Sequence, residues 1–207
     1  MTFAWTLDER KFLTLDKVRR LREYCRREKA RTLKKKGFLG VRDWILIELG
    51  LNTGLRVQEL ADLRCGDLLI SESEASLIVR KGKGNKRRPV WLSRSFKENC
   101  KAFLTWKKRQ GHAIDAEAHL LTSKQGGQLT KRALQKAFKR VARAAGLESH
   151  YSIHCLRHTY GTHLLRAGGF NLRLVQEQLG HSSVRITEVY TKLIGSDVKR
   201  AMNRLYR

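Results

Sequence analysis

Residues 67–92, DLLISESEASLIVRKGKGNKRRPVWL, break with the sequence on either side of them. Apolar residues come here in short runs, DLLI, SLIVR and RRPVWL, parted by the turn SESEA and the glycine-containing loop KGKGNK. Three such runs in succession, with short connections, predict an antiparallel meander. Outside this window the apolar residues recur at helical spacing. The expected fold class is therefore mainly α with a small three-stranded antiparallel sheet, an α+β chain.

Before the meander, Leu15, Val18, Leu21 and Cys25 keep helical spacing from Thr14, a suitable N-cap, to about Arg31. KKKGFLG interrupts, and residues 41–51, with Val41, Trp44, Ile45, Ile47 and Leu49, read as a helix buried on most sides. NTG closes that helix, and LRVQELADL is a short one with Arg56 at its entry. After the meander, Ser95 and Glu98 have the spacing of a capping box for a helix through about Arg109. Gly111 to Gln128 reads as loop. Thr130 can cap a helix that turns Leu134, Ala137, Phe138, Val141 and Ala145 inward and Lys131, Lys136, Lys139, Arg140 and Arg143 outward, with Gly146 as its stop. Further helices are expected at about 154–167, 171–179, 183–192 and 196–206. No linker or repeat divides the chain, so residues 1–207 are expected to form a single domain.

The 44 Lys and Arg residues against 19 Asp and Glu leave a net charge of +25. Such an excess implies a polyanionic partner, most often nucleic acid, without separating a catalyst from a coat. The N-terminus lacks the apolar run of a signal peptide, and no stretch approaches ~18 uninterrupted apolar residues. The expectation is a soluble cytoplasmic protein with no membrane partner. Cys25, Cys65, Cys100 and Cys155 lack the spacing of a zinc or redox site, so buried, reduced thiols are expected.

Within IHCLRHTYGTHLL, residues 153–165, Arg157 stands between His154 and His158 among Ile153, Leu156, Leu164 and Leu165. A charge among apolar neighbours is costly without a partner, either inside the protein or in a ligand. Other separated segments hold residues of related chemistry: TGLRVQEL gives Arg56, GKGNK gives Lys83, LGHSS gives His181 and VYTK gives Tyr190. In this order, Arg, Lys, His-x-x-Arg, His, Tyr, and with nine residues from His181 to Tyr190, the chain resembles the catalytic domain of the tyrosine recombinases, the integrase family. The likeness runs from about residue 12 to 207. Any one motif is weak evidence; five in order with their flanking words are strong.

The resemblance implies roles that the residue types can support. Arg56 and Arg157 would hold the non-bridging oxygens of one phosphate through paired donors, which Lys cannot reproduce, and would stabilise charge in the five-coordinate transition state. Glu59, three residues beyond Arg56, can hold that guanidinium in place. Tyr190 would attack phosphorus, giving a 3′-phosphotyrosyl link and a free 5′-hydroxyl. With an ordinary pKa near 10, ionising a tyrosine at pH 7 costs about 4 kcal/mol, which neighbouring cations or a base must offset. By the resemblance His154 is the acid/base group and His181 donates to the phosphate. Lys83 matches the family's leaving-group lysine, with Lys81 and Lys86 close by. The scheme requires no metal and no other cofactor.

Simpler readings exist for each piece. Arg56 with Glu59 is a common surface pair, Tyr190 could pack in the core against Ile186, and His154 with His158 could be metal ligands, although no third ligand of suitable spacing is evident. The run RKGKGNKRR, which includes Arg87, would ordinarily be a solvated loop. Here its glycines give a lysine freedom to reach DNA. By analogy Lys81, Lys86, Arg87, Lys139, Arg140 and Arg143 are expected along the duplex.

Many members carry an N-terminal helical domain that completes a clamp around DNA. Only residues 1–13 precede the first helix, so that domain is expected to be missing, supplied by another chain or replaced by dimer contacts. The last helix, with Val198, Ala201 and Leu205 on one side, is expected to dock on a neighbouring protomer as dimers or tetramers assemble on double-stranded DNA. An accessory protein is left open as a further partner. The resulting expectation is a nucleoid-associated, site-specific recombinase or integrase. A topoisomerase-like nicking-closing enzyme and a non-catalytic basic DNA-binding protein are its rivals.

Overall fold

The structure, a computed structural model, describes residues 9–80 and 87–180. In chain order α1 (Leu15–Lys34), α2 (Leu39–Thr53) and α3 (Val57–Asp62) precede the sheet. β1 (Leu68–Ile70), β2 (Ala75–Val79) and β3 (Arg88–Trp91) form it, and α4 (Arg94–Arg109), α5 (Lys131–Ala144), α6 (His154–Ala167) and α7 (Leu172–Leu179) follow. Short 3-10 turns at Glu9–Lys11 and Cys65–Asp67 were not signalled by periodicity. The helices expected at 183–192 and 196–206 lie outside the described residues, as do Lys81, Lys83, Lys86, His181 and Tyr190.

α2 is the centre of the helical layer, and α1, α4, α5 and α6 all pack on it. This accounts for a helix with apolar residues on every side. It also buries Asp43 and Glu48, which must be paired. Asp43 accepts from Arg42 at 2.8 Å and from Arg140, while Glu48 accepts from Arg22 at 3.0 Å and from Asn52 at 2.9 Å. Lys29 lies 3.3 Å from the centroid of the Trp44 ring, where the π face favours a cation.

The sheet has the order β1-β2-β3, antiparallel throughout, as the meander predicts. Leu68, Leu77 and Val90 pair across the strands and are all buried in the main core. Leu69, Ser76 and Trp91 pair on the opposite face, which leaves Trp91 60% exposed.

Thr14, Thr130 and Asn171 each accept a backbone N–H from the first turn of the helix they cap. One expected cap is corrected. α4 is capped by Ser93, whose hydroxyl accepts the Phe96 N–H, and the Ser95–Glu98 box is not formed. Starting there puts Phe96, Cys100 and Phe103 on one inward face, and Ser95 pairs with Ser93 instead. All four cysteines are buried and free, and burial pushes the thiols of Cys25 and Cys100 up to about 12.

Candidate active site

Arg56 is the N-cap residue of α3, so the first turn of that helix faces it. Its backbone N–H donates to Glu59 Oε2 at 2.8 Å and its Nη1 donates to Oε1 at 2.9 Å. The Glu59 side chain is buried, whereas that of Arg56 remains 32% exposed. Among the described residues, the Nε and Nη2 edge of Arg56 has no hydrogen-bond partner and is not enclosed. Half of the guanidinium is fixed to the protein and half is available.

A second guanidinium converges on the same carboxylate from the sheet. Arg88, first residue of β3, donates from Nη1 to Glu59 Oε1 at 3.0 Å and from Nη2 to Oε2 at 3.1 Å. Burial opposes ionisation of Glu59. The hydrogen bonds and charge of Arg88, the Arg56 backbone N–H and the charge of Arg157 outweigh it and hold the carboxyl below the usual carboxylate range.

Arg157 lies in the first turn of α6 and is 7% exposed. Its Nη1 donates to the Gly54 carbonyl at 2.6 Å and its Nη2 to the Leu179 carbonyl at 2.9 Å. Those carbonyls stand at the ends of α2 and α7, where orphan acceptors collect. Gly54 and Gly180 close those helices with φ of 60° and 63°, a region that favours glycine. A Cβ on Gly54 would lie 2.5 Å from Tyr160 Cδ1, and one on Gly180 would lie 2.4 Å from Arg88 Cδ and Nε. Gly180 therefore lies against the side chain of Arg88.

His154, the first residue of α6, reaches solvent at an open cleft of about 480 Å³ lined by Arg10, Lys11, His150, Tyr151, His154 and His158 among others. Desolvation and the charge of Arg157 lower its pKa, favouring the neutral imidazole. His158, one turn on, is driven further down, to about 4, by burial first and then by Arg157, His154 and Lys11. The wall is anchored from α1, where Lys17 bonds Glu148 at 2.7 Å and the Tyr151 hydroxyl at 2.9 Å. Leu13 N–H donates to Thr159 Oγ1 at 2.8 Å, tying the incoming chain to α6.

The fold thus links Arg56, Glu59, Arg157 and His154, drawn from α3 and α6, through contact or charge. It does not describe Lys81, Lys83, Lys86, His181 or Tyr190. Arg87 is exposed beside β3. On α5, Lys139, Arg140 and Arg143 are exposed; Lys139 donates to the Ser149 carbonyl at 2.6 Å and Arg140 pairs with Asp43. No group of three His, Cys, Asp or Glu able to hold a metal ion occurs among the described residues. Arg88 was missed by sequence reasoning. Strand alternation puts it on the same inward side as Val90, and a charge on that side requires a buried partner.

The body is mainly helical with this small sheet, and guanidiniums stand at the start of α3 and α6. The chain matches the phage integrase family over residues 11–195 and belongs to it. It is 39% identical over 155 residues to tyrosine recombinase XerC of Vibrio cholerae, covering 75% of this chain and 48% of that protein. It is 37% identical over 155 residues to XerC of Proteus mirabilis, again covering 75% of this chain and 48% of that protein. The chain therefore spans about half the length of the curated relatives it matches. The XerA recombinase structure superposes with a TM-score of 0.73 at 27% identity, over 95% of this chain and 65% of that one. XerH site-specific recombinase, bound to a palindromic difH substrate in a post-cleavage complex, gives 0.73 at 25% identity, over 92% of this chain and 52% of that one. No helix among the described residues is long and apolar enough to cross a membrane.

Proposed function

We propose that the chain is the catalytic unit of a site-specific DNA recombinase that cuts and rejoins one strand at a time, without a metal, through a 3′-phosphotyrosyl intermediate on Tyr190. The observation that carries this reading is the half-engaged Arg56 fork. Glu59 fixes one side of it and the other side faces solvent, in a cluster whose charge also includes Arg157. Such an arrangement suits preorganised stabilisation of a phosphorane, since the donors need not reorganise as charge develops. In this scheme Arg56 and Arg157 hold the scissile phosphate, His154 exchanges the tyrosine proton, His181 donates to the phosphate and Lys83 protonates the leaving 5′-oxygen. A neutral His154 is the form able to accept a proton, in keeping with its lowered pKa.

Double-stranded DNA is the proposed substrate, and the XerH relative, a site-specific recombinase bound to a palindromic difH substrate, supports it. Lys81, Lys86, Arg87, Lys139, Arg140 and Arg143 are the proposed contacts to the duplex. Assembly of protomers on DNA through residues 196–206 and a cytoplasmic location at the nucleoid complete the reading. Incubation with a nicked suicide duplex tests it. A covalent protein–DNA band on a denaturing gel is expected, lost in Tyr190→Phe with binding retained. Arg157→Lys, which cannot span both Gly54 and Leu179 carbonyls, should lower the band by on the order of 100-fold. A band that survives Tyr190→Phe removes Tyr190 as nucleophile. Exchanged products from two mixed sites distinguish recombination from relaxation, and binding with no band in any variant leaves the non-catalytic DNA-binding protein.

A further inference from the structure

Glu59 receives four donors, two on each oxygen: Arg56 Nη1 and Arg88 Nη1 on Oε1, the Arg56 backbone N–H and Arg88 Nη2 on Oε2. An unopposed arginine beside a carboxylate closes into a two-bond fork. Arg56 makes one side-chain bond instead, since Oε2 is taken by its own backbone N–H and by Arg88 Nη2. Both Nη atoms of Arg88 are spent on Glu59, its side chain is 12% exposed, and the backbone of Gly180 lies against its guanidinium. The Nε of Arg88 is buried without a hydrogen-bond partner among the described residues, so what Arg88 leaves over is enclosed, whereas Arg56 keeps an edge open to solvent.

We infer that Arg88 is a positioning residue for the proposed strand transfer: by occupying Glu59 from the sheet, it keeps Arg56 singly bonded and its remaining edge turned outward. The inference rests on the recombinase reading above. The same contact ties the first residue of β3, which follows the 81–86 segment, to the end of α7, from which the chain continues toward His181 and Tyr190. The groups facing Glu59 are Arg56 on its own turn, Arg88 from β3 and Arg157 from α6. Asp62, Arg64, Asp67, Arg80 and His119 line the cleft it borders. Without Arg88, burial favours the protonated carboxyl, and Arg56 would lose its anchor as pH falls.

The test compares single-turnover cleavage of the nicked suicide duplex by the full chain, Arg88→Gln, Arg88→Lys, Glu59→Gln and the double variant Arg88→Gln/Glu59→Gln. Duplex affinity and thermal melting are followed in parallel. Both Arg88 variants are expected to cut roughly 10- to 100-fold more slowly with little change in duplex affinity. The acidic limb of the Arg88→Gln rate profile should move to higher pH. The double variant should lose that displacement and cut no more slowly than Glu59→Gln, because Arg88 acts through Glu59. Cleavage by Arg88→Gln at the unsubstituted rate overturns the inference, as does full restoration by Arg88→Lys, which keeps charge without the two-bond geometry. A rate loss that follows melting temperature with an unmoved pH profile makes Arg88 a fold residue only, which also overturns it. Absence of a covalent band from the unsubstituted chain is a different failure, since it removes the recombinase reading on which the inference rests.

Discussion

His158 shares its cleft with Arg10, Lys11 and His154, and burial with its cationic surroundings takes its pKa to about 4. In the unfolded chain the imidazole titrates at its ordinary value, 6.5. Below that value the unfolded state binds the proton and the folded state does not, so folding stability falls as pH drops toward 4 and levels off beneath it. For this one group the loss between about pH 7 and about pH 5 comes to roughly 2 kcal/mol. Urea unfolding of His158→Gln at those two values should show a pH dependence smaller by about that amount than the unsubstituted chain. An unchanged dependence would mean that His158 is charged in the fold. Neighbouring Arg157 shows what sequence can tell at this scale. A guanidinium among leucines demands partners, and that demand is readable. The partners are the carbonyls of Gly54 and Leu179, 103 and 22 positions away, and no local pattern marks a backbone oxygen at a distant helix end as the acceptor.

Among the elements, the meander and the helices from α1 to α7 were legible because apolar spacing alone separates a period of two from one of 3.6. Boundaries were less so. SRSFKE, residues 93–98, offers two serines with equal capping chemistry, and only the packing of Phe96 decides between them. Ser93 wins because it lets Phe96 enter the core in the first turn while its own hydroxyl takes the Phe96 N–H at 3.3 Å. Loss of a working cap costs about 1 kcal/mol. Ser93→Ala should therefore lower unfolding free energy by about 1 kcal/mol, whereas Ser95→Ala should change it by less than about 0.5 kcal/mol. Chemical denaturation of the two variants measures both, and the reverse ranking would place the start of α4 two residues later. Arg88 was hidden for the opposite reason. Its place in the strand pattern was readable, but a run of basic residues just before it reads as solvated loop, and only the tertiary approach of α3 to β3 converts it into a partner of Glu59.

Across the whole molecule the excess of +25 is not spread evenly in what it can do. Arg42 and Arg140 are committed to Asp43, Arg22 to Glu48, Arg88 to Glu59, and Arg80 to Asp67 and Glu117. On the outer face of α5, Arg132, Lys136 and Arg143 line an open groove alongside the tethered Lys139 and Arg140. Uncommitted surface cations of this kind set affinity for a polyphosphate backbone, because each phosphate they neutralise releases counterions. If about eight phosphates are met, log affinity for duplex DNA should fall with log salt at a slope of about −7. Lys136→Gln and Arg143→Gln should each make that slope shallower by about 1, and should do so equally on any DNA sequence. Arg140→Gln should behave differently, since it also takes a partner from buried Asp43 and so should lower the unfolding free energy together with the slope. Equilibrium binding across a salt series, read beside denaturation of the same three variants, separates these effects. A slope near −1 in the unsubstituted chain would show that the charge excess does not lie along the duplex, and would remove α5 from the DNA interface.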